Sequence, residues 1–121
     1  MNTEQIAKRL VELCRKGENE QAQRELYAQD AVSIEMPGSP GAGDAKGLEA
    51  IYEKGRQWAA GVEAVHASNT SNPIVAGNWF SVAFSMDLTF KDRGRMQIED
   101  IGVYQVRDGK IVREQFFYDV G

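Results

Sequence analysis

The second half of the chain alternates apolar and polar residues, and this pattern limits what it can fold into. The clearest segment, residues 79–91, has an apolar side chain at every second position: Phe80, Val82, Phe84, Met86, Leu88 and Phe90. Small or polar residues fill the positions between them. Because successive side chains of a β-strand point to opposite faces, the pattern predicts a strand with one face against helices and the other not.

The same alternation recurs through the rest of this half. We expect strands over residues 62–71, 79–91, 95–107 and 110–118. The turn signals between them are Gly77-Asn78, Asp92-Arg93-Gly94 and Asp108-Gly109. Such turns favour antiparallel hairpins, and Pro73 predicts an edge or a bulge in the first pairing.

The first half has helical periodicity instead. Apolar residues spaced as in Ile6, Leu10 and Leu13 predict a helix over residues 3–16, which Gly17 is suited to end. Further elements are expected in this order: a helix over 19–28, a strand over 31–36, a loop over 37–44 and a helix over 48–60. The sequence therefore predicts an α+β fold, in which three N-terminal helices pack into the concave face of a strongly bent, mainly antiparallel sheet around one pocket.

Composition narrows the class of protein. A chain of 121 residues, 42% hydrophobic and 26% charged, predicts one globular domain over residues 1–121. Its first residues lack the continuous apolar segment of a secretion signal, and no stretch is long enough to cross a membrane. The single cysteine, Cys14, fits a reducing compartment, so we expect a cytoplasmic protein without a membrane partner.

Charge and residue types exclude several kinds of partner. The net charge of −4 argues against nucleic acid, because phosphate binding needs concentrated Lys and Arg. One histidine and one cysteine at no ligand spacing predict no metal site. The glycines of residues 38–43 lack the Lys-Ser/Thr ending of a phosphate loop, so no cofactor is expected.

The last turn decides which side chains share the pocket. Asp108-Gly109 can form a two-residue turn, or a type I turn with Gly109 as a bulge, and the two differ by one residue in register. We favour the bulged turn because it gathers the bulky residues on one face. It pairs Tyr104 with Val112, Gly102 with Glu114, Asp100 with Phe116 and Ile98 with Tyr118. It leaves Ile101, Val103, Ile111 and Phe117 on the opposite face.

In this register Asp100 and Glu114 lie diagonally on one apolar face. A carboxylate there is costly unless it is paired, hydrogen-bonded or protonated, and two close together push one pKa upward, as acid–base chemistry requires. The alternative is structural: either group could bind a helix end or an arginine such as Arg56, or lie at the solvent rim.

Two segments resemble the nuclear-transport-factor-2-like superfamily, and within it the SnoaL-like branch: residues 30–35, DAVSIE, and residues 104–117, YQVRDGKIVREQFF. The element order agrees with that family. The resemblance implies the cone-shaped fold predicted above. It does not fix an activity, since the fold hosts isomerases, polyketide cyclases, epoxide hydrolases, dehydratases and non-catalytic binding proteins.

Ketosteroid isomerase is the member whose chemistry the resemblance lets us compare. Glu35 takes the place of its general base, whereas Leu10 and Gly102 stand where its tyrosine and protonated-aspartate donors would be. Because such donors supply much of the rate, ordinary ketosteroid isomerisation is not expected. Glu114, opposite Gly102 in the favoured register, could place a carboxyl group in the vacated space.

The chain therefore has candidate residues for two kinds of function. An enzyme of cofactor-free acid–base chemistry, acting on a small hydrophobic carbonyl or cyclic compound, would use Asp100, Glu114 and Glu35 as proton carriers. Its substrate-binding residues would be Trp58, His66, Tyr104, Phe116 and Tyr118. A structural or surface role is the alternative for four of them: Trp58, His66, Tyr104 and Tyr118. A non-catalytic binding or interaction module would use the same pocket without turnover.

The outer face of the sheet predicts self-association. Four apolar residues would stay uncovered there, because the helices occupy the other side: Ile101, Val103, Ile111 and Phe117. A second copy that presents the same apolar patch is the simplest cover, so we expect a homodimer through the outer sheet face.

Overall fold

The computed structural model describes residues 1–39 and 43–120. These residues form three helices: α1 (Thr3–Arg15), α2 (Asn19–Leu26) and α3 (Leu48–Gly61). Asn2 and Gln5 form a capping box at the start of α1, and Gly17 adopts a φ of 73° just after its end. The predicted helices are confirmed, although α2 ends two residues earlier than expected. Of the predicted loop, residues 40–42 lie outside the described residues.

The described residues form a seven-stranded sheet. Its strands are β1 (Tyr27–Ile34), β2 (Ala45–Lys46), β3 (Val62–Thr70), β4 (Ile74–Ala76), β5 (Trp79–Phe90), β6 (Gly94–Arg107) and β7 (Lys110–Phe117). The order is β2-β1-β7-β6-β5-β3, with β4 beside β5; β1 and β7 are parallel and the other pairs antiparallel. The four late strands are confirmed. The short strands β2 and β4 were not predicted.

The helices pack on one face of the sheet, which we call the inner face. The buried core joins apolar residues of α1, α2 and α3 to inner-face residues of β5, β6 and β7. On β5 the predicted alternation is confirmed, because Phe80, Val82, Leu88 and Phe90 are buried whereas the positions between them are more exposed. The predicted α+β class follows directly from this arrangement.

The helices cover the inner face unevenly. One part, the closed region, is buried and consists of Phe80, Val82, Gly102, Tyr104, Val106 and Ile111. The other part, the open region, is only half-buried and consists of Phe84, Met86, Ile98, Asp100 and Phe116. Because β5 and β6 are central strands, half-buried residues there mean that the helices leave this part of the concave side uncovered.

The last hairpin differs from the favoured register. Asp108 and Gly109 have φ values of 52° and 75°, as a two-residue turn of type I′ requires, so Arg107 pairs with Lys110. A bulge follows: Val106 pairs with Ile111 but Gln105 with Arg113, which leaves Val112 as the extra residue. The predicted bulge at Gly109 is therefore wrong.

The turn and the bulge together shift the pairing by two residues. Tyr104 pairs with Glu114 and Gly102 with Phe116, not with Val112 and Glu114 as predicted. Because a shift of two residues keeps each side chain on its face, Asp100 and Glu114 do lie on the same face, as expected. Ile111 was assigned to the outer face and is instead fully buried in the core, since it precedes the bulge.

Candidate functional site

Glu114 is the most deeply buried carboxyl group at the centre of the inner face. It is 5% exposed and accepts a hydrogen bond from the Tyr27 hydroxyl. Ser33, its neighbour on the parallel strand β1, also hydrogen-bonds to it. Burial raises the pKa of Glu114, although these two hydrogen bonds and the Lys54 charge act in the opposite direction.

Glu35 lies just after β1 and is held by a lysine of α3. The Lys54 ammonium forms an ion pair with the Glu35 carboxylate and donates to the Ser33 hydroxyl at 2.8 Å. The Tyr118 hydroxyl lies 2.6 Å from Glu35 Oε1 and 2.6 Å from Ser39 Oγ. Since a hydroxyl carries one hydrogen, Tyr118 donates to the carboxylate and accepts from Ser39.

Asp100 differs from Glu35 and Glu114 in its hydrogen bonding. Its Oδ1 atom is buried and has no hydrogen-bond partner among the described residues. Burial raises its pKa to about 6, and the negative charges of Glu35 and Glu114 act in the same direction. A buried acceptor without a donor is costly, so this group is the least satisfied polar side chain of the inner face.

Tyr104 fills the space above Gly102. Its ring stacks on Phe80 with a centroid distance of 4.7 Å and contacts Phe116 edge-on at 6.4 Å. A Cβ atom at position 102 would lie 2.9 Å from the Tyr104 hydroxyl oxygen. The expectation that Glu114 would enter this space is therefore wrong, because Phe116 lies opposite Gly102 and the tyrosine ring covers it.

Two of the predicted binding residues lie apart from the carboxylates. Trp58 is 41% exposed and packs edge-on against Phe90 at 6.2 Å. The His66 Nε2 atom lies 2.8 Å from the Thr89 hydroxyl, at one of the β5 positions that alternate with the inner-face residues. The structure thus brings together Asp100, Glu114, Glu35, Tyr104, Phe116 and Tyr118, but not Trp58 or His66.

Three residues that connect the predicted carboxylates were not singled out from the sequence. They are Tyr27, Ser33 and Lys54. The parallel pairing of β1 with β7, which sets Ser33 beside Glu114, joins the two sequence segments of the family resemblance. That pairing is the one signal that could have pointed to Ser33. Lys54 lies on the charged face of α3, and the sequence pattern predicts that this face is exposed to solvent.

A groove of about 650 Å³ lies beside Asp100. Ala83, Ser85, Ile101 and Phe117 of the outer face line it, and Asp100 and Tyr118 contribute as well. Ile101 is 48% exposed and Phe117 42%. The outer face therefore carries an apolar surface, as the sequence predicted.

The described residues contain neither a cluster of three or more possible metal ligands nor a helix long and apolar enough to cross a membrane. The polar groups described above at the inner face are carboxyl, hydroxyl and ammonium groups. Such groups bind hydrogen-bonding ligands and transfer protons.

Comparisons with known proteins agree with this architecture. A family model described as a SnoaL-like domain matches residues 1–118. One similar protein has a crystal structure, comes from Mesorhizobium loti, and is described both as a SnoaL-like polyketide cyclase and as a carbohydrate phosphatase. It is 34% identical to this chain, with a TM-score of 0.91. The match covers 98% of this chain and 100% of that one. No curated protein sequence matches.

More distant structures share the fold alone. An NTF2-like protein from Burkholderia thailandensis is 20% identical with a TM-score of 0.84, over 98% of this chain and 92% of that one. A further structure is of a protein with a ketosteroid isomerase-like fold from Catenulispora acidiphila, in complex with trimethylamine. It is 20% identical with a TM-score of 0.73, and the match covers 95% of this chain and 85% of that one. These likenesses confirm the predicted cone-shaped α+β fold.

Proposed function

Because the chain belongs to the SnoaL-like domain family, we propose that it binds a small hydrophobic molecule against the open region and transfers a proton to or from it. The ligand is a carbonyl or cyclic compound, and the reaction needs no cofactor. Asp100 carries the proton. The negative charges of Glu114 and Glu35 raise the pKa of Asp100.

The observation that carries the proposal is the unpartnered carboxyl group of Asp100. Proton transfer is fastest when the pKa of the catalytic group lies near the working pH, and the pKa of Asp100 is raised to about 6. A buried acceptor that has no partner among the described residues is free to act on a ligand. Strongly shifted carboxyl groups of this kind are concentrated at functional sites.

The surroundings of Asp100 favour an apolar ligand. Phe84 pairs directly with Asp100 across β5 and β6, and Met86 pairs with Ile98 beside them. Phe116 lies on the same face of β7. Half-buried aromatic and thioether groups give adaptable apolar contacts, and a molecule bound there would complete the burial that the helices leave unfinished.

The other two carboxylates are suited to electrostatic roles. Glu114 is enclosed by its hydrogen bonds with Tyr27 and Ser33, and Glu35 is paired with Lys54. Both raise the pKa of Asp100 through space. Removing either negative charge is therefore expected to lower the pKa at which Asp100 acts.

Ordinary ketosteroid isomerisation is not the proposed reaction. Leu10, in the place of the tyrosine donor, is 2% exposed within the core, and Gly102 has no side chain to donate. We expect turnover of a 3-keto-5-ene steroid to stay at background. Steady turnover well above it would reveal a pair of donors that the proposal lacks.

The test of the proposed function combines a ligand panel with Asp100→Asn. We expect wild-type protein to exchange the α-protons of at least one small cyclic ketone in D₂O, with a rate that rises through a pH near 6. Asp100→Asn should lose this exchange. The matched control is Glu99→Gln, an exposed carboxyl group next to Asp100 on the outer face, which should leave exchange unchanged. Equal exchange by wild type and Asp100→Asn would contradict the proposal.

A non-catalytic binding module is the second candidate, and one observation favours it. The Tyr104 ring occupies the space where the resemblance would place a donor side chain, and Glu35 and Glu114 already have partners inside the protein. In that case a ketone would bind with an affinity that depends on Asp100. No proton exchange would accompany the binding.

We also propose that the protein forms a homodimer through the outer sheet face. Burying the parts of Ile101, Val103 and Phe117 that are still exposed contributes about 1 kcal/mol each before the cost of association. Light scattering at micromolar concentration should give a dimer mass.

Val103→Glu should shift that mass to the monomer. Val65→Glu is the matched control, because Val65 is 52% exposed on β3 and pairs with Leu88, an inner-face position. A monomeric wild type would sink the proposal. So would a Val103→Glu variant that keeps the dimer mass.

A further inference from the structure

We propose that the ligand of the open region carries a protonated amine, and that this ammonium group donates a hydrogen bond to Oδ1 of Asp100. The inference rests on the proposed function, because it concerns the same site, and it narrows the ligand to a small cyclic amine. Three features of the site support it: an acceptor without a donor, an excess of negative charge, and half-buried aromatic rings.

Oδ1 of Asp100 is an acceptor that lacks a donor. The atom is buried and has no hydrogen-bond partner among the described residues. A ketone cannot satisfy it, because a carbonyl oxygen only accepts hydrogen bonds. An ammonium group carries N–H donors, and a hydrogen bond between a charged donor and a carboxylate is about twice as strong as a neutral one. An amine therefore removes the cost of this buried acceptor, whereas a ketone alone leaves it.

The groove beside Asp100 is lined by negative charge. Its lining includes the carboxyl groups of Glu99, Asp100 and Asp119, and none of the described residues that line it is a lysine or an arginine. A concave surface with charges of one sign raises the local concentration of ligands of the opposite sign. The groove therefore favours a cation over a neutral or an anionic molecule.

The inner face adds negative charge to the same place. Glu35 and Glu114 act on Asp100 through space, as the rise in its pKa shows. The Lys54 ammonium forms its ion pair with Glu35 and its hydrogen bond with Ser33, so these two groups already engage it. A cation that pairs with Asp100 has to come from the ligand or from outside the described residues.

Aromatic rings suit the apolar part of such a ligand. Phe84 pairs with Asp100 across β5 and β6 and lines the groove with it, and Phe116 lies on the same face of β7. Both side chains are half-buried, and the faces of aromatic rings attract ammonium groups. Ile101 and Phe117, also in the groove, belong to the patch proposed for self-association, so we place the amine at the Asp100 side.

Amine binding is expected to depend on pH through Asp100. Its pKa is about 6, because burial and the charges of Glu35 and Glu114 raise it. At pH 5 the carboxyl group is mostly protonated, and the ammonium binds tightly only when that proton leaves. At pH 7.5 it is already a carboxylate. Tyr104 and Tyr118 stay neutral over this range, since the pKa of each hydroxyl is raised.

Calorimetry with three six-membered rings tests the inference. Cyclohexylamine, cyclohexanol and cyclohexanone share the ring but differ in charge and in donors. At pH 7.5 we expect the amine to bind about tenfold more tightly than the other two, which corresponds to about 1.4 kcal/mol. At pH 5 its affinity should fall about fivefold, and each bound amine should release about half a proton, measured in buffers of different ionisation enthalpy.

Asp100→Asn should remove the preference for the amine and the release of protons. The matched control is Glu63→Gln, which neutralises an exposed carboxyl group on β3 that does not line the groove. This control should behave as the wild type. Thermal unfolding of both variants verifies that they are folded under the conditions of the titration.

Each outcome separates the amine from the proposed proton transfer. Cyclohexanone that binds through Asp100, together with cyclohexylamine that binds no more tightly or not at all, would overturn the inference and leave the proposed function standing. Equal amine binding by wild type and Asp100→Asn would also overturn it. So would cyclohexanol that binds as tightly as the amine, since a neutral donor would then suffice. Amine binding with the expected pH dependence but without ketone exchange would support the inference and contradict only the proton transfer.

Discussion

The closed and open regions share β5 and β6 but differ in what covers them. In the closed region, Val82, Tyr104 and Ile111 are at most 2% exposed beneath the helices. In the open region, their strand neighbours Phe84, Ile98 and Asp100 are only half-buried. The same alternating pattern thus produces a core in one place and an incompletely covered surface in the other. The difference teaches that helix placement, not strand sequence, decides which part of the sheet is enclosed.

The largest expected effect is a difference in the free energy of unfolding between alanine variants of two isoleucines, one from each region. Ile111→Ala should lower the free energy of unfolding by about 3 kcal/mol, because it leaves a cavity in a packed core. Ile98→Ala should cost about 1 kcal/mol or less, since a half-buried side chain loses less on truncation. Urea unfolding of the two variants measures the contrast. Equal losses would show that the open region is as tightly packed as the closed one.

An intermediate effect is expected at the boundary between the regions. Gly102→Ala should lower the free energy of unfolding by about 2 kcal/mol, because the new methyl group forces the Tyr104 ring to move. The same substitution should cost much less when combined with Tyr104→Leu. A double-mutant cycle by urea unfolding measures this coupling. Additive effects would mean that the ring adjusts freely.

The smallest expected effect is a gain of stability in the open region. The folded-state pKa of Asp100 is about 6, above its ordinary value of 3.8, so the folded state binds the proton more tightly than the unfolded state. Wild-type stability should therefore fall as pH rises from about 4 to about 6, and Asp100→Asn should remove this fall. We expect the variant to be more stable by roughly 1–2 kcal/mol at pH 8 and equal at pH 4.

Thermal unfolding at both pH values measures this difference. Glu99→Gln provides the matched control, because Glu99 is an exposed carboxyl group on the outer face. A gain for Asp100→Asn that is as large at pH 4 as at pH 8 would show that the carboxyl charge is not its cause.

Much of this architecture could be predicted from local patterns. The period of two along residues 79–91 placed Phe80, Val82 and Leu88 on the inner face, and helical spacing located α1 and α3. The family resemblance is confirmed by the match over residues 1–118. The shared face of Asp100 and Glu114 was also correct, because a two-residue error in register preserves the side of every residue.

The features that could not be predicted depend on contacts between distant parts of the chain. The bulge at Val112 is a property of how β6 and β7 pair, and no local signal marks it. Lys54 reaches Glu35 across 19 residues and from a different element. The Tyr104 ring could not be placed over Gly102 from the sequence, because the direction of a side chain along its strand depends on its neighbours. The roles predicted for Trp58, His66 and the carboxylates stay predictions.

The position of β7 between β1 and β6 has a consequence for biosynthesis. The Tyr27–Glu114 hydrogen bond joins residues 87 positions apart, so the carboxylate cluster forms only after the final strand has been translated. Until then a nascent chain exposes two unpaired strand edges, one on β1 and one on β6, and such edges favour aggregation. A ribosome that stalls before β7 would release a chain that holds most of the helices and strands but neither a continuous sheet nor an assembled site.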